Sequence, residues 1–194
     1  HVVAPDLPGF GESKPLSEPP SMTAYVHSLL NFLDERRIDS AVFGGCSMGG
    51  YILFELWRTA PERMKGLVLC DTRAEADGPE MREKRRKSIE EVCRIGTASL
   101  ADTMLPHLVC PATYQNRRHL VDALNEDILG NPREGIANAL QALADRPDST
   151  ETLKSISVPV LILAGAEDGI TPPSLALAMR EQIQNSHCAI ISDA

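Results

Sequence analysis

The strongest chemical signal in the chain is the run Gly45-Cys46-Ser47-Met48-Gly49. A serine flanked in this way, between a β-branched or apolar run and a helical run, reads as a nucleophile on a sharp strand-to-helix turn. Backbone there is strained, and Gly45 and Gly49 are the neighbours whose missing side chains would let the turn close. Such a turn lifts the hydroxyl to the carboxyl edge of a parallel sheet. It also brings a helix N-terminus beneath it, where backbone N–H groups, that of Met48 first, can receive a developing negative charge. The competing readings are a glycine-rich phosphate cradle and a packing turn with a bystander serine. No lysine follows the glycines, which excludes a Walker-type loop. A second glycine pair, Gly9-Phe10-Gly11, lacks the third glycine and the following helix, and reads as loop.

The elements around Ser47 alternate. A short β-branched run, Val2 to Ala4, is stopped by Pro5 and followed by a Pro- and Gly-rich loop from Leu7 to Pro20. Apolar residues at helical spacing (Tyr25, Val26, Leu29, Leu30, Leu33) predict a helix from Ser21 to Arg36, with Ser21 or Thr23 as its cap. Ala41 to Phe43 predicts a buried strand running into the serine turn, Tyr51 to Thr59 a buried helix, and Gly66 to Cys70 the next strand. The pattern resumes with a strand from Val158 to Ala164, a helix from Pro173 to Gln184 and a last strand at Cys188 to Ile191. This alternation is that of a mostly parallel α/β sheet with helices on both faces. Residues 74–155 break it. They hold charged helical stretches (Pro79 to Ile95, Asn116 to Leu129, Arg133 to Ala144) and read as a helical cap over a core made of 1–73 and 156–194. Met81, Ile89, Val92 and Leu100 read as packing residues of this cap, and the run Arg82 to Lys87 as a solvated helix face.

Composition narrows the class. With 194 residues the chain is long enough for one domain with its own core, and a net charge of −8 without a basic stripe argues against nucleic acid and anionic membranes as partners. The five cysteines form no CxxC pair, so a disulfide framework or structural zinc site is not expected, and a reducing, cytoplasmic compartment fits. No apolar run is long enough to span a bilayer. No metal cluster is visible, and few aromatics (4%) argue against a stacked cofactor. Nothing in the sequence fixes the oligomeric state.

Three motifs in this order resemble the α/β-hydrolase superfamily over essentially the whole chain. Beside the Ser47 turn these are Ala4-Pro5-Asp6-Leu7-Pro8-Gly9-Phe10-Gly11-Glu12-Ser13, similar to the loop before the first sheet-covering helix, and Val160 to Pro172, similar to the acid-bearing strand and loop. Within the superfamily, the cap and the Ser-Met-Gly-Gly turn look most like small-molecule esterases and 3-oxoadipate enol-lactonases. The resemblance implies a Ser, then Asp, then His order of catalytic residues. Asp168, just past its strand, would project from the same sheet edge as Ser47 and is the expected orienting acid. Asp71, at the end of the strand Gly66 to Cys70, is the alternative, with a loop-capping carboxylate as its other reading; Glu167 reads as solvent-facing.

The base is the difficulty. Of His1, His27, His107, His119 and His187, only His187 follows Asp168, and it precedes the last strand, at the end of the sheet away from Ser47. The resemblance places the catalytic histidine after that strand and the second oxyanion donor upstream of Val2. The expectation is therefore a fragment of a hydrolase of roughly 250–280 residues, inactive in isolation and lacking the strand that would separate Val2–Ala4 from Ala41–Gly45. The implied chemistry is acyl transfer from a small ester or lactone to water through Ser47, Asp168 and the Met48 N–H, with no cofactor. An acyltransferase, a perhydrolase and a C–C bond hydrolase share that triad, and a non-catalytic binding protein shares the fold.

Overall fold

The computed structural model describes residues 1–194. Four strands, β1 (Ala41–Cys46), β2 (Met64–Cys70), β3 (Val160–Gly165) and β4 (Ser186–Ile191), form one sheet in the order β1-β2-β3-β4, with every pair parallel. Parallel neighbours need crossover connections, and helices supply them. Helix α1 (Met22–Glu35) leads into β1, and α2 (Met48–Thr59) with a 3-10 turn at Pro61–Arg63 joins β1 to β2. Six helices lie between β2 and β3: α3 (Pro79–Ile95), α4 (Ala98–Leu108), α5 (Pro111–Asn116), α6 (Arg118–Gly130), α7 (Arg133–Asp145) and α8 (Thr150–Leu153). Helix α9 (Pro173–Gln182) then joins β3 to β4.

The core forms where the sheet meets α2 and α9. Phe43, Leu67, Leu69, Val160, Ile162 and Ala164 alternate onto one sheet face and bury against Ile52, Phe54 and Leu56 of α2 and Ala176 and Met179 of α9. Helix α1 lays its stripe of Met22, Tyr25, Val26 and Leu33 on α2, and Ser21 caps it by accepting from the Ala24 N–H at 3.0 Å. Thr23, the other cap candidate, instead donates to Glu55 on α2. The second sheet face carries Val42, 64% exposed, and Leu161. Val2 to Ala4 does not form the expected strand. No strand lies beside β1 on its outer edge, so these residues have no ladder to join.

Between β2 and β3 the chain is helical throughout, with α3 and α7 at the predicted positions. The predicted helix at Asn116–Leu129 is α6, which starts two residues later because Arg117, with φ of −122° and ψ of 57°, separates it from α5. Helix α4 escapes a sequence pattern because Pro106 lies inside it. Two small apolar clusters knit these helices. Val92 with Ile136 and Leu140, packed by Ile89, Leu100 and Phe10, ties α3 to α7, and Ala101, Leu105 and Val121 tie α4 to α6. Met81 lies outside them and is partly exposed, because the first turns of α3 face solvent. The loop 7–20 touches this region too, since Gly9 approaches Gly135 of α7 so closely that neither position has room for a Cβ.

A buried charge cluster fastens α3 and α7 to the core. The fully buried Asp77 carboxylate pairs with Arg73 after β2, Arg85 of α3 and Arg146 at the end of α7, and the Arg146 guanidinium stacks 4.2 Å over the Tyr51 ring of α2. Burial by itself would raise the Asp77 pKa. Hydrogen bonds from Arg146 and Arg85, together with their charges, outweigh it and hold the carboxyl below its ordinary range. A depressed folded-state pKa contributes stability above the unfolded value of about 3.9, and that contribution disappears as pH falls through the folded value. Asp77→Asn leaves three guanidiniums without their carboxylate, and should cost about 3–5 kcal/mol at pH 7. Urea unfolding at pH 7 and at pH 3 checks this: the gap between the parent chain and the variant should shrink at the lower pH.

Candidate active site

Ser47 follows β1 directly and caps α2, with φ of 49° and ψ of −112°. A positive φ on a serine costs of order 1–3 kcal/mol and persists only where neighbours enforce it. Three hydrogen bonds do so. The Ser47 N–H donates to the Cys70 carbonyl at 2.9 Å, the Thr72 hydroxyl donates to the Ser47 carbonyl at 2.9 Å, and the Gly50 N–H donates to that same carbonyl. The Ser47 side chain makes no capping bond, so its hydroxyl is left uncommitted, and none of the turn or cap bonds takes the Met48 N–H.

Glycine is required at two places in this turn. A Cβ on Gly45 would run into the backbone of Gly49 and stand 2.8 Å from the Gly50 nitrogen, and a Cβ on Gly50 would collide with the Thr72 side chain. Gly49 differs from the sequence expectation. Nothing lies within 4 Å of a Cβ there, because its α-carbon faces away from the turn. The close approach falls on Gly50, which the five-residue pattern does not include.

Ser47, Asp71 and Asp168 line one cavity of about 570 Å³, floored by the ends of β1, β2 and β3 and bordered by His107, Cys110 and Arg117 from the helical region. Asp168 Oδ1 accepts from the Ile170 and Thr171 N–H groups at 2.7 and 2.9 Å, and Oδ2 accepts from the Thr171 hydroxyl. These donors fix the carboxylate's orientation within its own loop. Asp71 has φ of 42°; its N–H donates to the Leu163 carbonyl, and its Oδ1 accepts from the Gly165 N–H at 2.9 Å, so it braces the end of β3. Cys46 lies beside both carboxylates. Desolvation at the cavity floor first, then the charges of Asp71, Cys70 and Asp168, push its thiol above the ordinary range.

His187 pairs with Leu161 near the start of β3, at the end of the sheet away from Ser47. His107, on α4 of the helical region, is the histidine that borders the cavity. No local pattern could have found it or Arg117, because both reach the cavity from α4 and the α5–α6 junction, whose packing is a tertiary property.

Substitution separates the three glycines. Gly45→Ala and Gly50→Ala should each lower the unfolding free energy by about 1–3 kcal/mol through overpacking, whereas Gly49→Ala should be neutral or slightly stabilising. Thermal unfolding of the three variants reads this directly.

A family model described as alpha/beta hydrolase fold matches residues 1–92. Among solved structures, a thermophilic esterase from Thermogutta terrifontis, crystallised with malate bound, is 40% identical, with a TM-score of 0.94 over 97% of this chain and 70% of that one. Among curated relatives, 3-oxoadipate enol-lactonase 2 of Acinetobacter baylyi is 27% identical over 190 residues, 98% of this chain and 70% of the enzyme. A pimeloyl-[acyl-carrier protein] methyl ester esterase of Neisseria meningitidis is 25% identical over 214 residues, and 61% of its length is matched. No helix is long and apolar enough to cross a membrane.

Proposed function

The chain belongs to the alpha/beta hydrolase fold family, and from that premise we propose that it carries the nucleophile and acid of a serine hydrolase acting on small carboxylic esters or lactones. The observation that carries this reading is Ser47 at positive φ, its hydroxyl uncommitted, in the same cavity as a carboxylate held by three donors. The esterase and enol-lactonase activities named for the relatives support the substrate class. The free cysteines are compatible with a reducing, cytoplasmic setting.

In this mechanism Ser47 attacks the ester carbonyl and passes its proton to an imidazole that Asp168 orients. The tetrahedral oxyanion forms against the Met48 N–H at the start of α2, a donor of the kind whose removal costs about 10²–10³ in rate. Collapse expels the alcohol and leaves an acyl-serine, which water then hydrolyses with the same imidazole as base. His187 is too far along β4 for that role, and His107 belongs to the roof, so the base is assigned, as the family resemblance implies, to the loop after β4. Residues 74–155 act as a cap that limits substrate size.

Hydrolysis of p-nitrophenyl butyrate by the full-length protein tests the assignments. Ser47→Ala should reduce kcat by at least about 10³-fold and Asp168→Asn by about 10²–10⁴-fold. His107→Asn should stay within about threefold of the parent. An Asp71→Asn loss larger than that of Asp168→Asn would move the orienting role to Asp71. Full activity in Ser47→Ala would refute the proposal.

A further inference from the structure

Cys46 and Cys70 take no part in that mechanism, yet the fold places them as a pair. Each is the last residue of its strand, one position before Ser47 and Asp71, and the two are register partners in the β1–β2 ladder. Register partners on neighbouring strands project from the same sheet face, with backbones about 4.7–4.9 Å apart. Both side chains line the catalytic cavity, Cys46 is exposed and Cys70 partly so, and neither forms a disulfide.

That spacing limits what the pair can do. Side by side on parallel strands, the two β-carbons stand at about the strand separation, wider than the roughly 3.8 Å typical of a disulfide. An atom bridging the sulfurs relieves the mismatch. No group of three or more His, Cys, Asp or Glu side chains converges anywhere in the chain, so a tetrahedral site of the zinc kind is not built here. Two cysteines side by side on one sheet face, with no third ligand, suit a soft cation that accepts two-coordinate, near-linear sulfur ligation.

We propose that Cys46 and Cys70 form a two-thiolate binding site for a soft d10 cation, Cu(I), Ag(I) or Hg(II), at the foot of the catalytic cavity. Binding exchanges the cation's two outgoing ligands for two sulfur bonds and releases both thiol protons, with no change in oxidation state. With mercuric chloride, one Hg(II) and two thiols give the bis-thiolate, two chloride ions and two protons. The bridged cation occupies the floor of the cavity beside Ser47. A cation gripped by both sulfurs is retained where one held by a single thiol is not.

Mercuric chloride is the probe, and native mass spectrometry of the full-length protein in excess β-mercaptoethanol is the readout. The monothiol strips mercury from single cysteines, so the parent should retain one mercury per site. Cys46→Ser and Cys70→Ser should each lose it, and Cys93→Ser, Cys110→Ser and Cys188→Ser should keep it. In the unsubstituted protein, bound mercury should protect both Cys46 and Cys70 from later N-ethylmaleimide labelling, which decides the matter even if a variant fails to fold. No retained mercury, protection of only one of the two, or protection centred on Cys110 would overturn the site. Because the readout is binding rather than turnover, it stands or falls separately from the hydrolase reading.

Discussion

The backbone at Ser47 is held where a serine does not rest by choice, and the surrounding structure supplies the restraint. A φ of 49° survives because β2 grips the turn from one side, through the Cys70 carbonyl and the Thr72 hydroxyl, and α2 grips it from the other, through the Gly50 N–H. The packing of β1 on β2 is therefore part of the site's geometry. Buried Phe43, Leu67 and Leu69 hold the strands against α2, and the same contacts set the direction in which the helix presents its first N–H groups. Strain of this kind is stable only when the core is strong enough to absorb it.

A second constraint sets the roof. Helices α3 to α6 have only two small apolar clusters, one of them shared with α7, whereas Ala142 of α7 and Leu153 of α8 join the main core. The Asp77 cluster supplies a directional link, since one carboxylate bonds to arginines from the core, from α3 and from the end of α7. Ions buried in this way contribute more to defining one arrangement than to net stability, because desolvation offsets much of their attraction. His107 and Arg117, which border the cavity, are carried by α4 and by the α5–α6 junction, and α4 and α6 pack on each other through Ala101, Leu105 and Val121.

Much of this was legible in the sequence, for definable reasons. The strands at 41–46, 64–70 and 160–165 and the helices α1, α2, α3 and α7 announce themselves by apolar period and by caps, both local properties. The serine turn was legible because glycine at Gly45 is a local steric demand. Gly50 was not, because its requirement comes from Thr72, 22 positions downstream on another element. Val2 to Ala4 misled because β-branched composition describes a strand's preference, while a strand also needs a neighbour. The partners of Asp77 are assembled from three separate elements, so no window of sequence contains them all.

The proposed hydrolase chemistry requires an activated hydroxyl at Ser47. Intact-mass and peptide analysis of the full-length protein after exposure to a fluorophosphonate tests it most directly, because that reagent marks serines whose proton is being withdrawn. The expected result is a single adduct per chain, located on Ser47 and abolished by heat denaturation before exposure. An unlabelled Ser47 in folded protein, or an adduct on another serine, would contradict it.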